Sequence, residues 1–438
     1  MDARERPQRT AQEAVERTQR EALKAQVQRR LMESLDLVAA QRMPTEELRE
    51  ECLRRIDRLL GEVRTPLTTA HKQELLGEVM DEIFGLGPIE ALMRDDAVSD
   101  ILVNGPEQVF VERHGRLEPA SVRFRDEAHL LQVIQRIAGK VGRRIDESSP
   151  MLDARLPDGS RVNAIIPPLA LQGPVMSVRR FASAPLEAQR LLELDSWNAE
   201  MSAFLEAAVR CRMNILVSGG TGSGKTTLLN VLSKWIPADE RVVTIEDAAE
   251  LRLPREHVIS LETRPANAEG KGEVTQRDLV RNTLRMRPDR IILGEVRGSE
   301  TLDMLQAMNT GHEGSMTTVH SNSSRDALRR VENMVSMAGL EFPLRVLREQ
   351  MASTLDLLVH VARLTGGRRK VVSISEIVGM DPEGIQLQEI FCFRQTGVDA
   401  AGDAAGHFEA AGIRPRVLER MRAEGVELPA ATWLRKPA

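Results

Sequence analysis

Tyrosine does not occur in this 438-residue chain, and aromatic residues together make up only 3% of it. Stacking platforms for single-stranded bases therefore have little to be built from. The formal net charge of −5 gives no generic attraction to a polyanion either, so nucleic acid is argued against as a partner. Cysteine is scarce. Cys52, Cys211 and Cys392 are odd in number and far apart, which excludes a disulfide framework and a four-cysteine zinc site; ordinary reduced side chains are expected. No uninterrupted apolar run reaches spanning length, and the highly charged N-terminus does not have the form of a secretory leader. The expectation is a cytoplasmic protein.

What remains is a globular composition, 42% hydrophobic and 29% charged, in a chain longer than one core usually organises. Residues 1–30 are rich in Arg, Glu, Gln and Ala with few large apolar side chains, and predict a solvated or disordered arm. Residues 31–95 predict a small helical module. Leu48, Cys52, Leu53, Ile56, Leu59 and Leu60 recur at three- and four-residue spacing, and Val79, Met80, Ile83 and Phe84 continue the pattern to the stop Gly85-Leu86-Gly87-Pro88.

Over residues 96–181 the period shifts toward two and turn residues become frequent, predicting an α+β domain. Gln108 to Arg113 and Arg116 to Ala120 flank His114-Gly115, while Met151 to Leu156 and Arg161 to Ile166 flank Pro157-Asp158-Gly159. Both read as hairpins. Leu130, Leu131, Ile134 and Ile137 form one helix face between them. This stretch also concentrates Arg143, Arg144, Arg155, Arg161, Arg179 and Arg180. A charge run is usually a solvated face, but Arg161 follows a tight turn and Arg179-Arg180 precedes the connection expected over 182–190.

Residues 191–393 alternate strand and helix patterns, which predicts an α/β domain with a mostly parallel sheet, covered on both sides, with ligand chemistry at the strand carboxyl ends. Residues 394–438 predict a peripheral C-terminal extension. Within the α/β region, Gly219-Gly220-Thr221-Gly222-Ser223-Gly224-Lys225-Thr226-Thr227 fits G-x-x-x-x-G-K-[ST]. The apolar run Asn214 to Ser218 precedes it, and Leu228, Leu229 and Leu232 follow at helical spacing. Strand, loop and helix are thus in the order a phosphate-binding loop needs. Backbone N–H groups at the helix start would close around phosphate, Lys225 would reach the β- and γ-phosphates, and the Thr226 hydroxyl would ligate Mg²⁺.

Two further strands end in acids, one at Glu246-Asp247 and one at Glu295. A lone acid there is more often a helix cap or an ion-pair partner. Paired acid-tipped strands beside a phosphate loop are what phosphoryl transfer to water requires. His312 and His320 resemble H-E-x-x-H only superficially, since glycines and a predicted strand separate them, so zinc is not expected; His320 at a strand end suits a γ-phosphate sensor.

Three stretches then resemble the boxes of the secretion-ATPase superfamily, in that family's order. Thr244 to Glu250 matches its aspartate box, Asn282 to Gly298 its Walker B region, and Thr310 to His320 its histidine box. Leu261 to Thr275 and Arg144 to Arg161 resemble, more narrowly, the motor of tight-adherence (Tad/Flp) pili. The resemblance implies a RecA-like P-loop domain and a hexameric ring. Such a ring would hydrolyse Mg-ATP at the inner membrane and act on a platform protein there to assemble type IV pili, with retraction open as a second direction. It implies roles for Glu295 in polarising water, for Glu246 and Asp247 in supporting metal and water, and for His312 and His320 in sensing the γ-phosphate. Arg161, Arg179, Arg180, Arg281 and Arg285 are the arginines expected to complete the site, some across a subunit boundary. Where the family commonly has an Asp-Glu pair, this chain has Gly294-Glu295. A type IV secretion ATPase that moves protein or DNA is the alternative reading, and a nucleic-acid motor is a more distant one.

Overall fold

The computed structural model of the chain describes residues 44–62, 68–113, 115–181, 186–266, 271–337 and 343–434, with Gly339 and scattered positions between 23 and 34. His114 of the first expected hairpin turn, residues 182–185 of the expected connection and most of the expected arm lie outside the described residues. The chain divides into two units, Met1–Arg180 and Phe181–Ala438.

The first unit opens with helices α1 (Thr45–Gly61) and α2 (Thr69–Phe84). Four-residue spacing puts Cys52, Ile56 and Leu60 on one stripe of α1, and this stripe packs with Leu75, Val79 and Met80 of α2. The Thr68 side chain accepts the His71 N–H at 3.2 Å and so caps α2. After the short α3 (Glu90–Met93) come β1 (Val98–Asn104), β2 (Val109–Arg113), β3 (Arg116–Pro119), α4 (Glu127–Lys140), β4 (Met151–Arg155), β5 (Arg161–Ile165) and β6 (Val175–Arg179). The strands form one antiparallel sheet in the order β3-β2-β1-β6-β5-β4. Leu152, Ala154, Val162 and Ala164 alternate inward, joining Leu130, Val133, Ile134 and Ile137 of α4 in one core. Leu86, Ile89 and Leu92 belong to that same core. The segment between α2 and β1, on the helical side of the boundary expected at residue 95, thus buries its apolar side chains in the core of the sheet.

The second unit contains α5 (Ala188–Glu193), α6 (Ala199–Arg210), β7 (Ile215–Gly219), α7 (Lys225–Ser233), β8 (Val242–Glu246) and β9 (Val258–Glu262). These lead to α8 (Gln276–Thr283), β10 (Arg290–Val296), α9 (Glu300–Asn309), β11 (Met316–His320), α10 (Ser324–Met337) and α11 (Leu344–Thr354). The chain finishes with β12 (Leu357–Arg363), β13 (Arg369–Asp381), β14 (Gly384–Val398), β15 (Ala404–Ala410) and α12 (Val417–Ala423). The sheet runs β15-β14-β13-β12-β7-β11-β10-β8-β9. From β12 to β9 every pairing is parallel, and β13 to β15 extend the sheet antiparallel. Strand β7 is buried throughout, as a strand covered on both faces must be. Its Ile215 and Val217 join α6 and α7 in one core, and Leu216 joins α9, α10 and α11 in another.

Two further expected boundaries fall within elements. The connection expected to run to residue 190 already contains the start of α5, whose Leu191 is buried. The domain end expected at residue 393 falls inside β14, and α12 packs Leu418 and Met421 into the core of α6 and α7.

Candidate functional site

Parallel pairing places the carboxyl ends of β7, β11, β10 and β8 along one edge of the sheet. The Gly219 to Thr227 loop leaves β7 at that edge and enters α7. Gly224 stands at the N-cap with φ of 98°, a left-handed conformation that disfavours any side chain, and the Leu228 N–H donates to its carbonyl at 2.9 Å. The Ser223 hydroxyl donates to the Gly220 carbonyl at 2.8 Å and the Lys225 ammonium to the same oxygen at 3.1 Å. Gly219 is buried, Thr221 and Gly222 are exposed, and Gly220, Thr226 and Thr227 are half-buried. Lys225 is 11% exposed, and burial holds its pKa below the usual lysine value, partly opposed by Glu295.

Glu295 lies at the end of β10 with Oε1 3.8 Å from Lys225 Nζ. Its Oε2 accepts from Arg297 Nε at 3.0 Å and Nη2 at 2.6 Å, and Arg297 Nη1 is 3.3 Å from Asp247 Oδ2. The Thr263 hydroxyl donates to Asp247 Oδ1 at 3.2 Å. The structure thus brings together Lys225, Glu295, Arg297 and Asp247, a chain of alternating charge beside the loop. His320 is at the end of β11, in register with Gly219.

Glu246 is placed differently from the metal-supporting position expected of it. It is buried, and its carboxylate accepts backbone N–H groups of Glu250 at 3.0 Å and Leu251 at 3.2 Å, which ties down the turn after β8. A Cβ on Gly294 would lie 2.9 Å from Glu246 Cγ, so glycine there makes room for the glutamate packed against it. His312 precedes β11 and lies at the opposite, amino end of that strand from His320. The two histidines therefore do not converge on the loop within one protomer.

Arg281 donates to Asp303 Oδ1 at 2.8 Å and Arg277 to Asp303 Oδ2 at 2.8 Å, while Arg285 is exposed beyond α8. In the first unit Arg161 makes a two-pronged pair with Asp153, its shorter bond 2.6 Å, and Arg179 Nε lies 3.2 Å from Asp100 Oδ1. Arg180 donates to the carbonyls of Asp95 and Val98. Arg155, Arg161 and Arg179 are register neighbours across β4, β5 and β6, forming a basic row on the sheet.

Two neighbours of the loop, His360 and Arg369, carried no motif, and a third, Arg297, fell in the Walker B stretch without being singled out. Arg297 is two residues beyond Glu295, a spacing that returns a strand residue to the same side. His360 of β12 stands opposite Ser218 and shares a 2.8 Å hydrogen bond with its hydroxyl; burial pushes the His360 pKa down. Arg369 donates to the Gly222 carbonyl at 2.9 Å. Nothing local in the sequence marks the last two, because β12 and β13 reach the loop only through sheet pairing.

The family described as type II/IV secretion system protein matches the chain over residues 82–412. A putative conjugal transfer protein of Mycobacterium tuberculosis is 40% identical over 300 residues, covering 67% of this chain and 85% of that protein. The conjugal transfer protein TrbB of Rhizobium radiobacter is 36% identical over 296 residues, covering 65% and 85%. Among solved structures, the VirB11 ATPase of the Brucella suis type IV secretion system, in complex with sulphate, is similar at 30% identity over 67% of this chain and 97% of that one, with a TM-score of 0.37.

Proposed function

The chain belongs to the type II/IV secretion system protein family, and from that premise we propose that it is a RecA-like, P-loop ATPase hydrolysing Mg-ATP at the Gly219 to Thr227 loop. The observation that carries the reading is Glu295 Oε1 standing 3.8 Å from Lys225 Nζ, an acid at the end of β10 facing the lysine that opens α7 after the glycine-rich loop. The residues present fit such a substrate: a glycine-rich turn into a helix N-terminus, a nearly buried ammonium, and a carboxylate held from behind.

In this mechanism the amides of Gly220 to Lys225 and the Lys225 ammonium bind the phosphates, and Thr226 supplies a hydroxyl ligand to Mg²⁺. Bound there, Mg²⁺ supplies neutralisation of the charge that gathers on the phosphate oxygens. Glu295 orients the attacking water and accepts its proton. Arg297 fixes one carboxylate oxygen, so the other stays turned toward Lys225. His320 serves as the sensor of the terminal phosphate. Arg161, Arg179 and Arg180 of the first unit, with Arg281 and Arg285, complete the site in a hexameric ring. There, domain closure over ATP and its release after hydrolysis produce force on an inner-membrane platform protein.

The cargo reading that follows from the Arg144 to Arg161 and Leu261 to Thr275 stretches is assembly of Tad/Flp-type pili. A second reading, transport of protein or DNA by a type IV secretion system, is favoured by the conjugal transfer relatives. Deleting the gene separates them: loss of surface pilin with normal conjugation supports the first, and the reverse result supports the second. For the chemistry, ATPase assay combined with native mass measurement should give Mg-dependent phosphate release by a hexamer. Absence of turnover with ATP and magnesium would overturn the ATPase assignment.

A further inference from the structure

We infer that Arg363 and Arg369 form a second cationic wall of the nucleotide site, gripping the α- and β-phosphates from the side of the loop opposite Glu295. The inference rests on the ATPase reading and adds binding residues that no motif carries. Strand β7 has β11 on one side and β12 on the other. Glu295 reaches the loop from the β11 side, since β10 lies beyond β11. On the other side Val361 of β12 is in register with Gly219, so Arg363 extends past the end of β7 alongside the loop. Arg363 and Arg369 pair across the β12–β13 turn, at its two feet.

Both side chains lie against the loop. Arg369 Nε donates to the Gly222 carbonyl at 2.9 Å, and its Cδ is 3.5 Å from where a Gly224 Cβ would stand. Arg363 Nη1 is 3.8 Å from the corresponding point on Gly222. The turn that carries them is braced from the neighbouring hairpin. Leu364 N–H donates to the Arg368 carbonyl at 2.7 Å, Arg368 Nε donates to Asp403 Oδ2 at 2.7 Å, and a side chain on Gly366 would collide with Asp403. A triphosphate lying along the loop with its terminal group beneath Glu295 directs its inner phosphates toward this wall. Planar guanidinium forks suit phosphate oxygens, and their contacts would be the same for ATP and ADP.

The test uses the full chain and a fluorescent ADP analogue. Arg363→Ala and Arg369→Ala should each weaken the analogue by about tenfold and raise KM for ATP alike, with kcat within about twofold, because the lost binding is common to ground and transition states. Arg363→Lys should recover only part of the affinity. Unchanged analogue affinity in Arg363→Ala would overturn the inference, as would a fall in kcat at constant affinity, or an Arg363→Ala affinity loss fully recovered by lysine. Should Arg369→Ala unfold through loss of the Gly222 bond, Arg363→Ala and Arg363→Lys decide alone. Failure of the unaltered protein to bind the analogue would overturn the ATPase reading together with this one, whereas binding lost in Lys225→Ala but intact in Arg363→Ala would remove only this one.

Discussion

Arg290 and Glu295 sit near opposite ends of the same seven-residue strand, β10, and their surroundings differ in what they leave open. Arg290 is fully buried. It donates to both oxygens of Glu240, to the Val209 carbonyl at 2.6 Å and to the Gly314 carbonyl at 3.4 Å. A charge so far from water persists only when its donors are met. At the other end Lys225 and Glu295 are 11% and 21% exposed and stand 3.8 Å apart, too far for a hydrogen bond. The first group is closed and serves the fold. The second keeps capacity for a charged ligand, the arrangement expected of a site.

Substitutions at the two ends should therefore fail in different ways. Lys225→Ala should remove measurable phosphate release while leaving the unfolding midpoint where it was; near-normal hydrolysis would dissolve the distinction. Glu295→Gln should bind ATP on a filter assay yet hydrolyse it about a hundredfold more slowly or worse. A mild effect would move the base elsewhere, Asp247 being the next acid in the chain of charges beside the loop. At the closed end Glu240→Ala should cost about 3–5 kcal/mol in urea unfolding, because it strands the buried Arg290 charge. Between the ends, Gly294→Ala should cost about 1–3 kcal/mol by pushing Glu246 from its place, measured by the same unfolding experiment. Arg281→Ala should be the mildest, leaving the unfolding midpoint essentially unchanged, since Arg281 is 56% exposed and the buried Asp303 keeps its bond to Arg277. A loss of turnover without such a shift would put Arg281 in the site.

Legibility in the sequence followed the range of the interaction. The strand–loop–helix around Gly219 to Thr227 was readable because its strand, glycines and helix are contiguous, and the turn into α7 needs a left-handed residue at Gly224. The acid-tipped β8 and β10 were readable because each apolar run stops at its acid. The different tasks of Glu246 and Glu295 were not, since Glu246 is committed to amides four and five residues onward and to a gap left by Gly294 on another strand. The histidines were taken together from the family's histidine box, and the strand between them separates them along its length, with His320 at its carboxyl end and His312 before its start. Residue 393, where the domain end was expected, lies within β14, whose pairing with β13 and β15 no local pattern marks.

Local pattern by itself determined the order of elements, the glycine-rich turn into α7 and the family, because glycine conformation and apolar period act over a few residues. Only the tertiary structure decided which charges face one another. Sheet pairing brings β12 and β13 beside a loop more than a hundred positions earlier in the chain, and the burial of Arg290, with the partial exposure of Glu295, separates a pair that completes the core from an acid that stays open to its surroundings.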